Sequence, residues 1–173
     1  QHKDGKNARQ IVEWIENEAF GDKPFFMTCG IHKPHGPFLA PDKYFDLYPQ
    51  EKLQFKAPPE DFWDQAPKLA MTKRYEGFDF VFEQENDPLR REYMQAYHAC
   101  ITFIDAQIGL VLDAVKKNGH WEDTIIILTS DHGYQLGEHF MWGKVTLFEV
   151  CDRVPFVMRV PGTTTAGSRS EGL

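Results

Sequence analysis

The residues with the clearest capacity for chemistry are Asp131 and His132, in the run Thr129-Ser130-Asp131-His132-Gly133, with Lys144 thirteen positions further on. They follow the apolar stretch Thr124-Ile125-Ile126-Ile127-Leu128. Such a stretch reads as a buried strand, so a carboxylate and an imidazole are expected at the edge of a sheet, where α/β folds place their chemistry. The pair can hold a divalent ion, position a general base, or simply cap the following turn. Gly133 allows the sharp backbone turn that all three readings require. The Lys144 ammonium can oppose the oxygens of a tetrahedral oxyanion, or it can be an ordinary solvated charge.

A second group lies in His32-Lys33-Pro34-His35-Gly36-Pro37. Proline stiffens this loop, and its three basic side chains are donors that could meet an anionic substrate without reorganising. The alternative is a solvated loop whose histidines bond nearby backbone. Glu138 and His139 fit either a supporting role or a plain surface, while His2, His98 and His120 sit in weaker contexts.

The positioning elements can be read from periodicity. Ile11, Ile15 and Ala19 fall four apart beside Val12, which predicts a helix over about 7–19. Residues 25–31 form a short apolar run bounded by turn residues and read as a buried strand. Asp87 and Pro88 mark a helix start, and Lys116-Lys117-Asn118-Gly119 mark its end. Between them Met94, Tyr97, Ile101, Ile104, Ile108, Val111 and Val115 keep helical spacing. Strand, long helix and strand make a crossover unit, so 25–31 and 124–129 are expected to run parallel in one sheet. That arrangement would bring His32 and His35 toward Asp131 and His132. Residues 154–160 read as a further strand near the sheet border. The stretch 38–87, rich in proline and aromatic residues, reads as a long binding loop or lid.

Composition narrows the partners. With 173 residues, 42% of them hydrophobic, the chain can build one sizeable core. A formal net charge of -7 with no long basic cluster argues against nucleic acid. No run of about 20 apolar residues suggests a membrane span. Cys29, Cys100 and Cys151 lack the spacing of a zinc or redox motif and read as small buried apolar residues. Both ends look like cuts through something larger.

Taken together, Ser130-Asp131-His132-Gly133-Tyr134-Gln135-Leu136-Gly137-Glu138-His139 and Trp142-Gly143-Lys144 resemble the metal-and-sulfate segment of type I sulfatases, above all the iduronate-2-sulfatase-like branch. Gly30-Ile31-His32-Lys33-Pro34-His35-Gly36-Pro37-Phe38 resembles the histidine loop of the same branch. The resemblance runs from about Pro24 to Gly162.

This resemblance implies an α/β fold like alkaline phosphatase, with a mixed, largely parallel sheet flanked by helices, here as a partial domain. Residues 1–173 would be the central to C-terminal part of a single catalytic domain, with 38–87 as an insertion. It implies hydrolysis of sulfate esters of a sulfated sugar through a formylglycine, whose hydrated form attacks sulfur. Asp131 would bind a divalent ion, usually calcium, and His132 would take the companion ligand position. Lys144 would hold sulfate oxygens. One of His32 and His35, with His32 the first choice, would contact the sulfate or protonate the departing alcohol. No cysteine here stands in the Cys-x-Pro-Ser-Arg context that yields formylglycine. That nucleophile, and the aspartate pair that completes the ion site, are expected upstream, in a missing N-terminal half. A periplasmic, secreted or lysosomal setting is implied. A phosphodiesterase or phosphonate monoester hydrolase on the same scaffold, and a non-catalytic binding relative, are the alternatives.

Overall fold

The computed structural model of the chain describes residues 2–54, 59, 61–67 and 87–170. The elements are α1 (Lys3–Glu16), α2 (Asp42–Phe45), α3 (Phe62–Gln65), α4 (Asp87–Lys117), β1 (Ile126–Thr129), β2 (Gln135–Leu136), β3 (Trp142–Gly143), α5 (Glu149–Asp152) and β4 (Phe156–Arg159), with 3-10 turns at Gln50–Lys52 and Glu138–Phe140. They fall into two compact units, Gln1–Leu53 with Arg91–Thr124, and Gln54–Arg90 with Ile125–Leu173.

In the first unit, α1 packs on α4 through Ile11, Ile15, Ala114 and Val115, and Met27, Cys29 and Trp121 close over them. Helix α1 begins at Lys3 rather than near Asn7 and ends at Glu16 rather than Ala19. Its first turn is polar and carries no apolar stripe, so periodicity could not reach it. Helix α4 runs as its end signals indicate. Its last carbonyls are closed by Asn118 N–H to Ala114 O (3.1 Å) and His120 N–H to Val115 O (3.0 Å), around Gly119 at φ 83°.

By length and composition α4 is long and apolar enough to cross a membrane, although it holds no unbroken run of about 20 apolar residues. In this chain it is the helix on which the first core is built. Phe38, Tyr44 and Tyr48, from the region read as a binding loop, also pack on it. Phe38 meets Tyr93 edge-on with ring centroids 4.8 Å apart, Tyr44 meets Phe103, and the Tyr48 hydroxyl bonds Thr102 Oγ1 at 2.5 Å. These three rings therefore serve the core. Within that stretch, 55–58, 60 and 68–86 lie outside the described residues.

Residues 25–31 are extended but belong to no ladder among the described residues. A run of apolar residues specifies an extended backbone, yet a strand also needs a partner backbone to pair with. This one instead turns Met27 and Cys29 onto the α1/α4 core and leaves Phe26 exposed. The parallel pairing expected with 124–129 is thus replaced by a different one. In the second unit β1 pairs antiparallel with β4, Ile126 opposite Arg159 and Thr129 opposite Phe156. Their two-stranded ribbon leaves Ile127, Leu128, Phe156, Val157 and Met158 exposed, so β1 is not the buried strand its composition suggests. A ribbon of two strands cannot cover its own faces. A second antiparallel pair, β2 with β3, sets Gln135 opposite Gly143 and Leu136 opposite Trp142.

Candidate functional site

The Asp131 turn leaves the end of β1 and is held from below by α5. The Gly133 amide donates to Cys151 O at 2.7 Å. A Cβ at position 133 would lie 2.1 Å from Val150 O, so only glycine permits this approach of the turn to the helix. Above that contact, the Ser130 hydroxyl donates to His132 O at 2.9 Å and the His132 amide to Asp131 Oδ1 at 3.1 Å. The Asp131 side chain is 85% exposed.

The imidazole of His132 is oriented at both nitrogens. Its Nδ1 lies 2.8 Å from the Gly133 carbonyl, which can only accept, so Nδ1 carries the proton. Nε2 then offers a lone pair, and the Lys144 Nζ donates to it at 3.0 Å. Asp131 Oδ2 is 3.7 Å from the same Nε2. Two acceptor atoms at that separation are close enough to share one cation. Desolvation raises the Asp131 carboxyl's affinity for its proton. The neighbouring His132 imidazole, the amides of 131 and 132, and Lys144 outweigh this and hold it below the usual carboxylate range.

Lys144 reaches this position because β3 ends one residue before it and pairs with β2. Gly137, at φ 110°, opens the hairpin and lies under the Trp142 ring, 3.1 Å from where a Cβ would stand. Inside the same hairpin Gln135 is fully buried. Its amide donates to Thr146 Oγ1 at 2.9 Å and its carbonyl faces His139 Nδ1 at 2.8 Å. His139 stacks on Phe148 with centroids 4.0 Å apart and lies against Phe62 at 4.8 Å. Burial lowers its pKa, opposed by Glu138. His139 is therefore a packing residue of this unit. No spacing in the sequence marks Gln135 as its partner.

His32 and His35 belong to the first unit, in a turn closed by the His35 amide on His32 O at 3.0 Å. Their rings stack, with centroids 4.5 Å apart and planes 19° from parallel. His35 Nδ1 donates to Gly36 O at 2.8 Å. Lys33, read from sequence as a donor for an anion, is buried instead. Its ammonium donates to His35 O at 2.7 Å and to Pro37 O, so it holds the loop and does not face solvent.

A divalent cation would find two ligand atoms in Asp131 and His132. Calcium takes six to eight oxygen ligands. Among the described residues no three His, Cys, Asp or Glu side chains gather to enclose a metal. The pair thus fits such an ion as part of a ligand set and does not by itself complete one.

The sulfatase family model matches residues 1–173. The chain belongs to the sulfatase family. It is 33% identical to iduronate 2-sulfatase of Mus musculus over 175 residues, covering 93% of this chain and 31% of that protein. Among solved structures it resembles a phosphonate monoester hydrolase of Agrobacterium radiobacter, at 29% identity and TM-score 0.72, over 90% of this chain and 33% of that one. It also shares the fold of a protein solved with its substrate D-glucosamine-2-N,6-O-disulfate, at 20% identity and TM-score 0.76, over 96% of this chain and 44% of that one. The chain spans about a third of the length of the curated relatives it matches, 31% of the first. The fold is the α/β fold of sulfatases and alkaline phosphatases as a partial domain, whose own strands make two small antiparallel sheets. Sulfatases in general work with a divalent metal and a formylglycine.

Proposed function

We propose that this chain is the central to C-terminal part of a sulfatase catalytic domain, carrying the insertion at 38–87, and that the whole protein hydrolyses sulfuric esters of a sulfated sugar. The observation that supports this most is the meeting of Asp131, His132 and Lys144 within 3.7 Å of the His132 Nε2, in a chain of the sulfatase family.

In this reading Asp131 and His132 hold the divalent ion, most readily calcium, and the ion supplies positive charge to the reacting sulfate. Formylglycine supplies the nucleophile, and none of Cys29, Cys100 and Cys151 has the context to become it. What this chain's own residues contribute follows from their geometry. Asp131 is ionised, and the Nδ1–H bond to Gly133 O fixes the His132 ring so that Nε2, which here accepts from Lys144, is the nitrogen that would meet the ion. Lys144 brings an ammonium beside them to counter charge on the sulfate oxygens. His32, the more exposed of the two loop histidines, donates a proton toward the departing alcohol, and His35 stacks behind it.

The likeness to a phosphonate monoester hydrolase supports a second reading, since a lysine and a cation meet sulfate and phosphonate oxygens alike. The full-length protein assayed with a sulfated glucosamine, 4-nitrophenyl sulfate and a phenylphosphonate monoester separates them. Faster release of sulfate supports the proposal, and faster phosphonate cleavage supports the second reading. Turnover of none would point to a binding relative.

A further inference from the structure

The histidine loop is anchored from behind by the first turn of α1. Asp4 is fully buried, and both of its carboxylate oxygens accept from successive loop amides, Oδ1 from His32 N–H and Oδ2 from Lys33 N–H, each at 3.0 Å. One turn along, Asn7 Nδ2 donates to Gly30 O at 2.8 Å. His2 Nε2 meets Leu39 O at 2.8 Å, on the far side of the loop. Three side chains at the start of one helix therefore grip the backbone before, within and after 32–37. The Lys33 ammonium completes the grip on the carbonyls of His35 and Pro37.

Burying a carboxylate is costly unless its charge is matched. Here the positive end of the α1 dipole and two converging amides match it. A neutral acceptor or a water could satisfy two amides with less charge to bury. A buried anion is a stiffer anchor, because charge-assisted bonds are stronger than neutral ones. All the anchoring groups act on backbone or lie inside, which leaves the stacked imidazoles of His32 and His35 on the outer side.

We propose that Asp4 is the positioning residue of the histidine loop, fixing through the His32 and Lys33 amides the direction in which the His32 imidazole is presented. The inference rests on the reading that this loop serves ester hydrolysis, and goes beyond it by assigning the residue that orients the loop.

The test compares two substrates of the full-length protein. An alkyl sulfate needs its leaving alcohol protonated, whereas 4-nitrophenyl sulfate does not. Asp4→Asn keeps the size and one acceptor but turns an NH2 toward the other amide. It is expected to lower kcat on the alkyl sulfate by roughly 10- to 100-fold, the scale of a displacement of about 1 Å. On 4-nitrophenyl sulfate it should lower kcat by less than about 3-fold, with KM little changed, since binding is untouched. In a His32→Ala background the same change should leave the alkyl-to-aryl ratio where His32→Ala put it. Equal losses on both substrates would mean a merely structural residue and would overturn the proposal. Wild-type kinetics in Asp4→Asn, with His32→Ala impaired, would overturn it while sparing the reading of the loop. If neither His32→Ala nor His35→Ala changes the ratio, that reading falls and takes the inference with it. Should Asp4→Asn not accumulate, amide exchange in the wild-type protein decides. Slow exchange at 32 and 33 supports the anchor, and exchange at open-loop rates overturns it.

Discussion

The Nζ of Lys144 lies 3.0 Å from Nε2 of His132, whose other nitrogen is fixed on the Gly133 carbonyl. The ammonium is thus held at the nitrogen that the proposal assigns to the cation. Lys144→Ala should lower kcat/KM for a sulfate ester by about 100- to 1,000-fold, the scale seen when one group stabilising an oxyanion is removed. Thermal unfolding should move by no more than about 2 °C, because a partly exposed charge contributes little to stability. Steady-state kinetics beside a melting curve checks both.

Two glycines should respond in opposite directions. Gly133→Ala would drive a Cβ into Val150 O at 2.1 Å, and should destabilise the protein by about 2 kcal/mol or more. Gly109 sits in α4 with nothing within 4 Å of its would-be Cβ, so Gly109→Ala should stabilise by about 0.5–1 kcal/mol through helix propensity. Urea unfolding of the two variants checks the pair.

His32 should give the activity a basic limb. Its pKa is lowered from 6.5, first by partial desolvation and then by the charges of His35, Lys3 and Lys33, with Asp4 opposing. If its proton goes to the leaving alcohol, kcat on an alkyl sulfate should fall as pH rises, with an inflection below 6.5 that His32→Gln abolishes. The stability sign is fixed by the same shift. Below 6.5 the unfolded chain binds this proton more readily, so the contribution of His32 is complete above 6.5 and is lost as pH falls through the folded pKa. Wild-type melting temperature should therefore drop more than that of His32→Gln on acidification.

Much of the molecule could be read locally. Helix α4 was legible at both ends because its stop and start signals, Asp87-Pro88 and Lys116 to Gly119, act within a turn of where they stand. His132 and Lys144 could be picked out as neighbours in sequence, and the 135–143 hairpin is what brings their side chains together. What could not be read depends on distant partners. Residues 25–31 lack a ladder because no described backbone pairs with them, and β1 chose β4. Lys33 is buried although its neighbours are polar, and Asp4 gains its role only when α1 docks behind a loop 28 residues away.

The cation reading has a direct consequence. Chelation should abolish turnover, added calcium should restore it, and the restoring concentration should rise at least about 10-fold in Asp131→Asn, which loses one charged oxygen ligand. Calcium titration of activity checks this.

The account stands most directly on inorganic sulfate released from a sulfated glucosamine by the full-length protein, wild type beside Asp131→Ala. It predicts steady release by the wild type and a loss of at least about 100-fold in the variant, in keeping with removal of a charge-stabilising group. Equal release by the two proteins, or no sulfate release beside brisk cleavage of a phosphonate monoester, would contradict it.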